Sequence, residues 1–168
     1  MQKLTLLTAA VLISIGSFGQ SKSADNFYNK YKDDRDASLV TLNGSIFQLV
    51  ASIAGLAEDD DAAALARIAD GIKSMKILAL PMYKAGINMS EIEDLRSNII
   101  KEGYDELMTV RDGKERVYFL AKTNENQIND MLILSHKADD ELALIKFEGV
   151  LEMKDVAYLV DHHDDWRN

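Results

Sequence analysis

The spacing of apolar residues changes period part-way along the chain, and that change outlines the fold. After Gly44-Ser45, Ile46, Leu49, Val50 and Ile53 recur at i, i+3, i+4 and i+7. That spacing predicts an amphipathic helix ending near Gly55. Leu65, Ile68, Ala69 and Ile72 repeat the pattern behind Asp59-Asp60-Asp61, an acidic run suited to the positive end of a helix. Ile92, Leu95 and Ile99 do so again behind Ser90-Glu91-Ile92-Glu93, which reads as a capping box, with Gly103 as the stop. Phe27, Tyr28 and Tyr31 predict a short helix over 25–33, and Met153, Val156, Ala157 and Val160 a last one.

Between Gly103 and Met153 the pattern is that of strands. Four apolar runs, Tyr104–Val110, Val117–Thr123, Ile128–His136 and Leu142–Leu151, are separated by Asp112-Gly113-Lys114, Asn124-Glu125-Asn126 and Lys137-Ala138-Asp139-Asp140. Short polar separators, one of them Asp-Gly, predict a four-strand antiparallel meander. Ser38–Leu42 and Met75–Leu80 add two earlier strands, the second closed by the only proline, Pro81. Helices grouped early and strands grouped late predict an α+β fold, a mostly antiparallel sheet with helices packed on one face. The expected division is a polar segment with a short helix over 20–37, one α+β domain over 38–161, and a polar tail over 162–168.

Met131-Leu132-Ile133-Leu134 is apolar at both strand parities, and Phe119-Leu120 continues the theme. Either both sheet faces are covered or the second awaits a partner. The expectation is that the N-terminal segment or the last helix supplies the cover. A surface left open would be built on Phe119, Met131 and Ile133, with Trp166 as a further stacking residue. It would receive a partner protein or, near residues 131–134, a second copy of the chain.

The first residues carry a different signal. Lys3, an apolar run from Leu4 to Ile15, and small residues at Ser17 and Gly19 have the form of a secretory signal peptide over 1–19, cut before Gln20. The run is shorter than the roughly 20 residues that span a bilayer. The expected product is soluble, exported to the periplasm or beyond, and without stable membrane insertion. The chain of 168 residues has a net charge of −9, which becomes −10 once Lys3 is removed. Such acidity argues against a nucleic-acid partner. The absence of cysteine excludes thiol catalysis, cysteine-bound zinc, iron–sulfur clusters and a lipid-modified N-terminal Cys.

Candidate chemistry is sparse. His162, His163 and Asp165 carry ligand atoms for zinc or a similar ion, with Asp161 and Asp164 beside them. Adjacent residues on a helix point about 100° apart, so the two imidazoles would not share one ion on a continuing helix. A solvated tail explains the cluster more simply. Asp59-Asp60-Asp61 and Asp33-Asp34-Arg35-Asp36 lack the spacing of a calcium loop. His136 reads as a satisfied residue at a strand edge, since no nucleophile motif accompanies it. Glu91, Glu93 and Asp94 read as a solvated helix face. Neither a phosphate loop nor a dinucleotide fingerprint occurs, and no catalytic residue or cofactor is expected.

The arrangement resembles a family of exported bacterial proteins, domain of unknown function 4252. The resemblance rests on the leader ending Ser17-Phe18-Gly19-Gln20, the helix Ile46–Ile53 and the strand Ile72–Leu78. It also rests on Glu102-Gly103-Tyr104-Asp105-Glu106-Leu107, Val117-Tyr118-Phe119 and Phe147-Glu148-Gly149-Val150-Leu151. Together these cover most of residues 38–160. The resemblance implies a cell-envelope protein, in a context sometimes tied to extracytoplasmic sigma-factor regulation, and carries over no catalytic residues. Many relatives look like lipoproteins with a Cys after the leader, which this chain lacks. The expected function is therefore a non-catalytic binding or regulatory domain of the envelope. The alternative is a metal- or small-ligand-binding protein, with hydrolase activity as one form, using His162–Asp165.

Overall fold

The computed structural model describes residues 20–57, 59–137 and 140–161. In chain order they form α1 (Lys22–Tyr31), β1 (Ser38–Asn43), α2 (Gly44–Ala54), α3 (Asp60–Gly71) and β2 (Ile72–Pro81). Then come α4 (Met82–Ala85), α5 (Met89–Lys101), β3 (Asp105–Asp112), β4 (Glu115–Asn124), β5 (Gln127–Lys137), β6 (Glu141–Glu152) and α6 (Met153–Asp161). One six-stranded sheet runs β1-β2-β6-β5-β4-β3. All five strand pairs are antiparallel. The fold is α+β, and the late meander is β3 to β6.

The meander follows from its turns. Gly113 adopts φ +54° between β3 and β4, which an L side chain rarely takes, and Glu125 adopts φ +53° between β4 and β5. β2 extends the meander by pairing along β6, from Pro81 opposite Glu141 down to Ile72 opposite Gly149, and β1 pairs beyond it at the edge.

Alternation along the strands then divides the core. On the first face lie Leu78, Leu80, Leu132, Leu134, Leu142, Leu144, Tyr118 and Leu120, covered by Ala24, Phe27 and Tyr31 of α1 and Ile92, Leu95 and Ile99 of α5. On the second face, Phe47 of α2, Ile68 of α3 and Met153 and Val156 of α6 pack against Met75, Phe147, Met131 and Ala121, with Ile72, Ile128 and Leu151 below. Arg67 clamps α3 to α6 through Asp155, Nη2 to Oδ1 2.7 Å.

Several details differ from expectation. The helices occupy both faces, because β2, β5 and β6 are apolar at both parities and helices on one side would leave Met75, Phe147 and Met131 wet. The N-terminal segment belongs to the first face, so it offers the second no cover. α5 is capped by Asn88, whose side chain accepts from the Glu91 N–H at 3.0 Å, leaving Ser90 inside the first turn. The single turn α4 has no periodic signal. The apolar stripe of α2 faces outward: Leu49 is 54% exposed and Ile53 61%. The helix packs instead through buried Phe47 and half-buried Ala51 and Ala54, about 100° around its axis.

Candidate functional site

Two places on the sheet carry more than ordinary packing. The first is a polar band at the lower end of the first face. Ser74, Glu148, Asp130 and Lys122 are cross-strand neighbours on β2, β6, β5 and β4, and Lys76 and Lys146 pair in the row above. The band receives the N-terminus of α1. The Ser21 N–H donates to Tyr104 Oη at 3.1 Å, and the Tyr104 hydroxyl donates to Asp130 Oδ2 at 2.5 Å. The hydroxyls of Ser21 and Ser23 and the Ser23 N–H all donate to the Glu102 carboxylate. Asp25 pairs with Lys146, whose side chain is almost fully buried.

The electrostatics follow from that burial. Asp130 is pushed above the ordinary carboxylate range by desolvation, against which the Tyr104 hydrogen bond and Lys146 pull down. Desolvation and then Asp130 drive the Tyr104 phenol far above its usual value. Burial pushes Glu102 up as well, but the hydrogen bonds from Ser21 and Ser23 outweigh it and leave the carboxyl below its usual value. A cleft of about 300 Å³ opens beside the band, lined by Gln20, Lys73, Lys122, Asp130 and Glu148 among others. Asp130 Oδ1 and Glu148 Oε1 have no hydrogen-bond partner among the described residues, although Lys76 Nζ stands 3.7 Å from the latter. No group of three or more metal-ligating side chains occurs among the described residues. These hydrogen bonds and the ion pair tie α1 to the sheet through Asp130 and Lys146 and to the end of α5 through Glu102.

His136, on an interior strand, is 2% exposed, and neither ring nitrogen has a hydrogen-bond partner among the described residues. It is neither satisfied nor at an edge, contrary to the sequence expectation. The Tyr118 ring lies beside it, with ring centroids 6.0 Å apart. Burial depresses its pKa, Glu93 acting against the shift and Arg116 with it. The unfolded chain therefore takes up this proton first as pH falls. Stability should be fully present above about pH 6.5, the unperturbed value, and decline below it. Chemical denaturation at pH 7.5, 6.5 and 5.5 checks this. His136→Leu should flatten the decline, and an unchanged slope in that variant would remove His136 as its cause.

The second place is the upper half of the second face. Here the cross-strand register sets out one row of Ser38, Ala79, Ala143, Ser135, Val117 and Val110. The next row is Val40, Ile77, Ile145, Ile133, Phe119 and Met108. These twelve positions span all six strands without one charged residue. The helices' packing stops one row lower, at Met75, Phe147, Met131 and Ala121. The inner residues are half-buried by one another, while Val40 and Met108 at the two edges are 44% and 45% exposed.

The model of the family described as Domain of unknown function (DUF4252) matches residues 31–159. The chain belongs to the DUF4252 family. No curated protein and no solved structure matches it. The DUF4252 match takes in the whole sheet and both rows of the uncharged surface, and it begins at the last residue of α1.

Within this DUF4252 domain, Phe119 and Ile133 stand side by side in the lower uncharged row. Met131 does not join them, being packed beneath the helices. Trp166, His162, His163 and Asp165 lie outside the described residues, as do residues 1–19. Glu91 accepts from Lys30 and Tyr31, while Glu93 pairs with Arg96, so these carboxylates serve separate contacts. Among the described residues no helix is long and apolar enough to cross a membrane. Sequence reading missed Val40, Ile77, Ile145 and Met108. Their signal was the second apolar parity of each strand, but only the register aligns them.

Proposed function

We propose that the chain is an exported, non-catalytic binding or regulatory domain of the cell envelope that works through the uncharged upper half of its second sheet face. The observation carrying this reading is the pair of charge-free rows across six strands, left outside the helical cover. A contiguous uncharged patch of a few hundred Å² is about the largest a folded monomer shows, and such a patch is often functional. The leader pattern and the lack of Cys support export without a lipid anchor.

A photo-reactive residue at Ile133 tests the surface in the exporting cell, with the same residue at exposed Asn98 on α5 as control. The expected result is a discrete adduct from position 133 and none from 98. Equal labelling from both, or none from 133 in folded protein, overturns the reading. N-terminal sequencing of the exported chain should begin at Gln20, and a product beginning at Met1 would end the export claim.

A further inference from the structure

We propose that the occupant of the uncharged surface is a second copy of this chain, seated sheet against sheet about a two-fold axis. The inference rests on the binding-face reading above and names its partner. Charge argues for it first. The chain carries −9 overall, so repulsion between two copies is least across a surface holding none of that charge. Both rows meet that condition from edge to edge, and the charged side chains of Asp112, Glu115, Lys137 and Glu141 begin only in the row above. In an isologous contact each row meets a copy of the same pair of rows, so neutrality on one side is matched by neutrality on the other.

Area argues for it next. Six strands about 4.8 Å apart and two rows about 6.8 Å apart give a flat footprint of roughly 400 Å². α2 packs on the lower part of the same face, and its Ile46, Leu49, Val50 and Ile53 are exposed beside it. That footprint is about half the ~800 Å² per partner of a standard stable interface, so a stable dimer also buries the exposed side chains of α2. Small Ala79, Ala143, Ser38 and Ser135 in one row beside bulky Ile77, Ile145, Ile133 and Phe119 in the next give a stepped surface. Two such steps interlock at the roughly 10 Å separation of packed sheets.

The chain's own remaining segments fit the surface poorly. Residues 162–168 hold one apolar side chain, Trp166, against twelve positions to cover. The described chain begins at Gln20, and Ser21 beside it is buried against Tyr104 on the opposite face.

The test uses the chain from Gln20 onward and its natural freedom from cysteine. Light scattering at micromolar concentration should give twice the chain mass. Ile133→Lys, and separately Val40→Lys at the exposed edge, should weaken self-association at least tenfold while circular dichroism stays unchanged. A single Ser135→Cys should oxidise to a covalent dimer much faster than Asn98→Cys. A dimer unaffected by either lysine, or equal oxidation at the two cysteines, overturns the proposal. A monomer whose position 133 still labels another envelope protein overturns self-association and leaves the binding-face reading intact. A monomer with no adduct at 133 overturns both.

Discussion

Gly149→Ala is expected to lower the melting temperature by about 5–10 °C, the equivalent of about 2–3 kcal/mol for a chain of this size. A Cβ at Gly149 would stand 2.1 Å from the carbonyl oxygen of Gly71, and a Cβ at Gly71 would stand 2.2 Å from that of Val150. Both obstacles are backbone, so no rotamer change relieves them. The pair sits where the register slips between Ile72 and Ser74 on β2 and between Ile128 and Asp130 on β5. Each slip adds a residue and bends the strand, drawing the end of α3 onto β6. Gly55→Ala, whose new Cβ would meet the Ala51 carbonyl oxygen at 3.2 Å and that of Ser52 at 3.9 Å, serves as the milder control. Thermal unfolding followed by circular dichroism reads the difference. A melting temperature within one degree of the parent for Gly149→Ala would mean that the end of α3 and β6 do not approach as described.

The second large effect concerns Lys146. Its side chain is 3% exposed and its ammonium is paired with Asp25 of α1, on a helix that also hangs from Tyr104 and Glu102. Removing the partner leaves a buried charge, so Asp25→Ala is expected to cost about 3 kcal/mol, the low end of the range because Asp25 itself is partly solvated. Lys146→Met removes both the charge and the need for its partner, and should cost much less. The double variant should therefore be more stable than Asp25→Ala alone, a sign opposite to simple addition. Denaturant unfolding of the four proteins gives the coupling directly. Additive losses would show that Lys146 does not depend on Asp25. Lys146 also restrains the rise of the Asp130 carboxyl, so Lys146→Met should push Asp130 further up, visible by carboxyl NMR.

How much was legible from the residues can be argued element by element. Ile92, Leu95 and Ile99 announce α5 and are its buried stripe in the structure. Asp59 caps α3 by accepting from the Ala62 N–H at 2.7 Å, as its place before an alanine-rich run suggests. Asp112-Gly113 makes the β3–β4 turn. Each of these features is decided within about four residues, by capping, by backbone preference or by helical period, so one sequence contains the whole cause. α2 shows where that logic stops. Its apolar stripe has the same spacing as that of α5, yet it faces outward, because the side a helix buries is chosen by what lies beside it.

The amino-acid sequence by itself therefore determined the element types apart from the single turn α4, the late meander, the α+β class and family membership over most of the chain. The tertiary structure decided which strands adjoin, which face each helix covers and where the cover ends. Ser38 meets Ala79, and Ala79 meets Ala143, across gaps of dozens of residues. A one-residue slip in any of these pairings would send Ile77 or Ile145 to the other face. The uncharged surface and the polar band under Ser21 exist only in that register, since each is a row of residues contributed singly by different strands.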